Sequence, residues 1–276
     1  MLRFGYNTNG FAHHRLEDAL AILADLGYES IALTLDYNAL NPYEANLPTR
    51  CDAICRLLQR LHLRCVIETG ARFLLDPRRK HQPTLLSAEP GERQRRLDFL
   101  QRAVEVAQRL GADAVNFWSG AQTDSCPESV WMDRLVEGCK SLGDFAAGRG
   151  VRLAFEPEPG MFIDNMAGFA ELSQRVNHPS FGLTLDIGHL HCQRETPIAD
   201  RLRHWAERLW NVHIEDMRRG VHDHLMFGEG EIDFGPVLRT LVEIVYAGGV
   251  HVELSRYSHN AVETARQAIA FLKGVH

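Results

Sequence analysis

The chain has 276 residues, of which 45% are hydrophobic and 24% charged, proportions that suit a folded protein with a sizeable buried core. A net charge of −6, with 14 histidines counted neutral, gives no general attraction to a phosphate backbone, so nucleic acid is a disfavoured partner. No apolar run approaches the length that spans a membrane, and MLRFGYNTNG lacks the apolar stretch of a signal peptide, so a cytoplasmic location is expected.

Short strand-like runs alternate with amphipathic helical runs along the chain. LRFGYN precedes LEDALAILADLG, where Leu16, Ala19, Leu20, Leu23 and Leu26 recur at helical spacing. SIALTLD precedes CDAICRLLQRLH, with Ile54, Leu57, Leu58 and Leu61 in the same rhythm. LRCVIETG runs through a long polar connection into RQRRLDFLQRAVEVAQRLG. ADAVNFWSG then leads to VWMDRLVEGCKSLGDFAAGRG, VRLAFEPEPG to MAGFAELSQRV, and FGLTLDIGH to IADRLRHWAERL. WNVHIEDM leads to FGPVLRTLVEIVYAGG, and VHVELSR to NAVETARQAIAFLKG. Eight βα repeats without a break in composition predict an α/β fold, a single (β/α)8 TIM barrel over residues 1–276. A doubly wound open sheet fits less well, because no glycine-rich dinucleotide fingerprint follows the first strand. The connections at 70–90 and 216–233 are long for a compact fold, which is where function is expected. Cys51, Cys55, Cys65, Cys126, Cys139 and Cys192 form no C-x-x-C pair and read as reduced thiols.

Side chains in a strand alternate between faces. In the last four strands this sends Leu153, Phe155, Leu183, Leu185, Val212, Ile214, Val252 and Leu254 outward. The inward positions are Ala154 and Glu156, Thr184 and Asp186, Asn211, His213 and Glu215, and His251, Glu253 and Ser255. Glu156, Asp186, His213 and Glu253 thus converge near the C-terminal rim, where barrel enzymes place their chemistry. Buried carboxylates without a counter-charge repel and are costly to desolvate, and one imidazole cannot balance three. A divalent cation can, and this donor set suits Mn²⁺, Zn²⁺ or Co²⁺. His189 lies three residues beyond Asp186, expected in the turn leaving strand six, with Gly188 permitting a tight bend. His222 and His224 are expected to face one site from the loop after strand seven, with Asp223 turned outward. The Gly228–Glu229–Gly230 turn would let that loop fold back so that its imidazoles reach a second ion.

The E-P of strand five, L-D-I-G-H of strand six, V-H-I-E-D of strand seven, F-G-E-G-E-I-D, and V-E-L of strand eight together resemble the xylose-isomerase-like barrel superfamily, which includes AP endonuclease family 2. The resemblance spans nearly the whole chain and is specific in residues 151–256. It implies one metal held by Glu156, Asp186, His213 and Glu253, as in the epimerase branch, with Glu156 and Glu253 as the acid–base pair. In endonuclease IV, a D-x-x-H and a D-x-H before G-E-G bind further metals. These match Asp186–His189 and His222–His224, with His222 standing where that family has Asp. Its ligands on strands three and four are met here by Glu68 and by Asn116 with Trp118. Glu68 is therefore a candidate additional ligand, and His81 in the long loop a weaker one.

The expected function is metal-dependent isomerisation or epimerisation of a sugar, sugar phosphate or polyol derivative through a stabilised enediolate, with Glu158 as an alternative acid or base. A hydrolase with two or three ions, related to endonuclease IV, is the rival reading, and a non-catalytic metabolite-binding barrel the third. One ion is expected on the first reading and two or three on the second. Arg256, just past Glu253, is placed to meet an anionic group, with Arg72, Lys80, Arg218 and Arg219 in neighbouring loops. Phe11, Phe73, Trp118 and Phe162 are candidate pocket walls, and His13 and His14 candidate substrate contacts. Many barrels of this kind form homodimers, though no residue pattern here sets the oligomeric state.

Overall fold

The computed structural model describes residues 1–275. Its strands are β1 (Arg3–Asn7), β2 (Ser30–Thr34), β3 (Arg64–Glu68), β4 (Val115–Phe117), β5 (Leu153–Phe155), β6 (Phe181–Asp186) and β7 (Leu209–Ile214). A hairpin, β8 (Asp216–Arg218) and β9 (Val221–Leu225), precedes β10 (Gly249–Val252). All strands except the hairpin pair in parallel with their neighbours, and β1 closes against β10 with Tyr6 opposite Val252. The helices are α1 (Leu16–Asp25), α2 (Leu47–Arg60), α3 (Pro90–Leu110), α4 (Glu128–Ala147), α5 (Met166–Val176), α6 (Ile187–Cys192), α7 (Ile198–Trp205), α8 (Phe234–Glu243) and α9 (Ala261–Val275). The barrel predicted from the βα repeats is the fold observed. No helix among the described residues is long and apolar enough to cross a membrane.

Both faces of the barrel strands are covered, so the strands read as nearly unbroken buried runs. Outward aromatics on β4, β5 and β6 pack beneath α5: Phe155 lies 5.3 Å from Phe117 and 6.0 Å from Phe169 between ring centroids. The lumen is filled differently. Ala32, Val66, Ala114 and Ala154 form a small apolar cluster with Trp210 against it. His251 lies in a separate polar layer, bonded through Nδ1 to Asn211 Oδ1 at 2.8 Å and through Nε2 to Ser30 Oγ at 2.8 Å. Burial holds His251 well below the usual histidine range. The neutral ring therefore donates to the amide oxygen and accepts from the hydroxyl, which leaves neither nitrogen unpaired.

Two segments differ from the reading of the sequence. Residues 187–192, expected as a turn, form α6, and Asp186 caps it by accepting the His189 N–H at 2.8 Å. Gly188 accordingly makes no bend. A Cβ there would collide with the Glu215 carboxylate and with Met217, so the glycine serves close packing. Residues 216–225, expected as an open loop, pair as the β8–β9 hairpin, which stands over the rim beside α6. All six cysteines are free thiols; Cys51, Cys65, Cys139 and Cys192 are buried, and Cys55 and Cys126 partly so.

Candidate metal centre

The ends of β5, β6, β7 and β10 bring Glu156, Asp186, His213 and Glu253 together, one ligand atom from each lying within 4.8 Å of all the others. His213 Nδ1 is 3.0 Å from Glu156 Oε1, 3.0 Å from Glu253 Oε2 and 3.9 Å from Asp186 Oδ2. Burial alone would depress His213, but the carboxylates of Glu156, Glu68 and Glu253 outweigh it and hold the imidazole well above its usual range. Burial raises Glu156 to about 7 against the pull of His213. Glu253 is held low because His213, with His224 and His189, outweighs its burial. In the absence of a dication, a proton on the imidazole thus serves as the counter-charge.

Neighbouring side chains fix each member of this group. Glu68 accepts from His213 Nε2 at 3.1 Å, which leaves Nδ1 as the nitrogen facing the cluster. Glu68 lines the cavity and is placed to orient His213, and it belongs to none of the groups that could share an ion. Asn116 donates one amide group to both Glu68 Oε2 (2.5 Å) and Glu156 Oε2 (2.8 Å). Asn9 donates to Glu253 Oε1 at 2.7 Å. Each of Glu156 and Glu253 thus has one oxygen tied to an amide and the other presented to His213. Sequence reasoning missed Asn9, whose partner lies on the opposite end of the chain.

A second group adjoins the first and shares Asp186. His189, His222 and His224 can converge on one point, and so can Asp186, Glu215 and His224. His189 Nδ1 lies 3.2 Å from the Pro157 carbonyl, which can only accept; the Nε2 lone pair therefore faces His222 Nε2 at 3.1 Å. Burial depresses His189 to about 4, so the ring is neutral, as ligation requires. Glu215, read from the sequence as inward-facing but not as a ligand, is fully buried. Both of its oxygens, together with Asp186 Oδ2 and His224 Nδ1, find no hydrogen-bond partner. Burial and the neighbouring Asp186 push the Glu215 carboxyl well above the usual range.

Other candidates fall elsewhere. Glu158 lines the cavity over the cluster, and burial followed by the charge of Glu156 raises it strongly. His81 also lines the cavity but joins no ligand set; it is tied to Gly70 O and meets Trp118 edge-on at 5.2 Å. Arg256 is exposed and ion-paired to Asp223, outside the cavity lining, so its expected place beside substrate is corrected. Arg218 and Arg219 are likewise exposed and do not line it, whereas Arg72 and Lys80 do. Trp118 is part of the wall; Phe73 is exposed, and Phe162 packs on Trp131. Phe11, His13 and His14 line an adjoining cavity.

These residues fit a divalent cation. Three carboxylates surround one nitrogen donor, His213 and His189 have one ring nitrogen each taken by a carboxylate or a carbonyl, and buried oxygens are left without donors. Fold and site together define a TIM barrel with a carboxylate–imidazole cluster, a candidate metal centre, at its C-terminal rim. The chain matches the family of xylose isomerase-like TIM barrels over residues 20–275, and it belongs to that family. It is 24% identical over 260 residues to L-ribulose-5-phosphate 3-epimerase UlaE of Shigella flexneri serotype 5b (strain 8401), covering 91% of this chain and 86% of that protein. In structure it is similar to D-allulose 3-epimerase from Methylomonas sp. in complex with D-allulose, with a TM-score of 0.78 and 20% identity over 100% of this chain and 97% of that one. It is also similar to the IolI protein with a bound zinc atom, with a TM-score of 0.78 and 19% identity over 99% and 98% of the two chains.

Proposed function

We propose that the chain is a metal-dependent sugar isomerase or epimerase that moves a proton on a carbon next to a carbonyl, with Glu156 and Glu253 as the acid–base pair. The observation that carries this is the matched tethering of the two carboxylates. Each has one oxygen held by an amide, from Asn116 or Asn9, and the other turned to the shared cluster. Glu156, Asp186, His213 and Glu253 would hold the ion, which lowers the barrier to enolisation by stabilising negative charge on the carbonyl oxygen. Glu156 or Glu253 removes the proton, and the other returns one. Asn116 and Asn9 keep the two carboxylates from rotating away. Trp118 and His81, in edge-on contact, form part of the cavity wall. His81 donates Nδ1–H to the Gly70 carbonyl, so its Nε2 is left to accept from a sugar hydroxyl. The relatives named above, epimerases of ribulose 5-phosphate and allulose, support a ketose-like substrate. The test is solvent-deuterium incorporation into ketose substrates. Glu156→Gln and Glu253→Gln should each abolish exchange; wild-type exchange in both would discard the assignment.

A second ion is favoured by the unpartnered oxygens of Glu215 and Asp186 and the unpartnered nitrogen of His224. Asp186, Glu215 and His224 would hold the second ion, with His189 and His222 beside them as further imidazole donors. Mn²⁺, Co²⁺ and Zn²⁺ suit this mix of oxygen and nitrogen donors, and the zinc in IolI supports the class. Elemental analysis of the purified protein should find about two ions per chain, falling to about one in Glu215→Gln, by the ligand counting above. One ion in both proteins would leave a proton shared between Glu215 and Asp186 as the explanation of their burial. Two or more ions would also suit the hydrolase reading, so turnover of phosphoesters is the accompanying assay.

A further inference from the structure

We propose that Arg72 recognises an anionic group on the substrate, so that this enzyme acts on a charged sugar, a phosphate ester or a carboxylate, rather than on a neutral one. The inference rests on the sugar-epimerase reading and adds a substrate class to it. The cavity over the metal cluster, about 280 Å³, adjoins a second of about 230 Å³, and the two share Asn9, Thr34 and Arg72 in their linings. Arg72 is thus the guanidinium common to both linings, at their junction.

Its placement is built rather than incidental. The Arg72 N–H bonds to the Gly70 carbonyl at 2.7 Å, and its own carbonyl accepts from the His81 N–H at 2.6 Å. Its φ is +33°, a strained conformation for a residue with a Cβ, which the loop holds from both sides. The side chain is half-buried and has no acidic partner among the ion pairs of the described residues, and neither does Lys80 in the same lining. A third cation lies behind the wall. Arg96 is fully buried, stacks at 4.7 Å on the Trp118 ring, and donates Nη2 to Thr69 O at 2.9 Å; its Nη1 has no partner. An uncompensated guanidinium in low dielectric is costly. An oxyanion on the open side of Trp118 lowers that cost, while Arg72 offers the planar fork that engages two of its oxygens. The anion rests at the junction and goes no deeper, because Asp36 lines the second cavity. The reacting carbons then lie toward Glu156 and Glu253, with the charged end away from them.

The test is calorimetric binding to the Mn²⁺-loaded protein, using L-ribulose 5-phosphate against L-ribulose and D-fructuronate against D-fructose, in wild type, Arg72→Met and Lys80→Met. The wild type should favour one charged sugar over its neutral parent by at least about tenfold, the usual scale of a charge-assisted bidentate contact. That ratio should collapse toward one in Arg72→Met, fall less in Lys80→Met, and shrink with added KCl. A phosphate-only preference assigns the site to phosphate esters, and a carboxylate-only preference to uronates. Equal binding of charged and neutral partners in the wild type, or an unchanged ratio in a folded Arg72→Met, overturns the anion site and leaves the epimerase reading standing. Failure of all four sugars to bind the wild type overturns both.

Discussion

Asp216 accepts the backbone N–H of Gly230 at 3.0 Å, and the same carboxylate takes the N–H groups of Gly228 (2.9 Å) and Ile232 (3.1 Å). A Cβ at residue 230 would overlap that carboxylate, so the Gly-Glu-Gly turn exists to wrap a buried acid. This acid starts β8, and its turn follows β9, which carries His222 and His224. Asp216→Ala should therefore destabilise the fold by about 3 kcal/mol, the scale for leaving several buried donors unpaired. It should also weaken metal binding at the histidines more than at His213. Urea denaturation with metal titration checks both; an unchanged midpoint would show that water replaces the carboxylate without loss.

Glu68 touches no expected ion directly, yet it holds the far nitrogen of His213. Glu68→Gln is expected to lower metal affinity by roughly 10- to 100-fold, as loss of an orienting partner does elsewhere. Competition with a chelator of known affinity measures it. An affinity within twofold of wild type would mean that packing alone sets the imidazole.

The amide tethers make a separate prediction. Asn9→Ala and Asn116→Ala free one oxygen of Glu253 and Glu156 respectively. Each should reduce kcat by roughly tenfold, about the worth of one hydrogen bond to a charged group. Asn9→Ala should do so with metal content intact, since Asn9 reaches only Glu253 among the carboxylates. A change in KM alone would count against tethering.

Metal affinity should fall with acidity in a defined direction. In the metal-free protein Glu156 titrates at about 7, raised by burial, and His213 is held above its usual value. Below pH 7 both carry protons that a cation must displace, so affinity should drop by about a hundredfold per pH unit there, and by about tenfold per unit once Glu156 has ionised and His213 alone still holds its proton. Calorimetry at pH 6 in two buffers of different ionisation enthalpy should register proton release. Heats independent of buffer would contradict it.

The ring of Glu156, Asp186, His213 and Glu253 was legible because strand faces alternate and four successive strands keep one phase. Other features were hidden for physical reasons. A six-residue helix is too short to show a 3.6-residue rhythm, so α6 read as a turn, although the spacing of Asp186 and His189 is that of a helix cap. Glu215 was in phase but had no visible counterpart; its meaning comes from Gly188 and Asp186 lying against it in space. Arg256 drew attention by position alone, and the ion pair that occupies it lies 33 residues away.

Closure of the barrel has a consequence for assembly. The joint between β1 and β10 unites the two ends of the polypeptide, and Asn9 reaches across it to Glu253. An ion held by Glu253 would therefore act as a clasp on this seam, so that bound metal would favour the shut ring over any state in which the first and last barrel strands have parted. Its stabilisation should grow with the logarithm of free metal concentration.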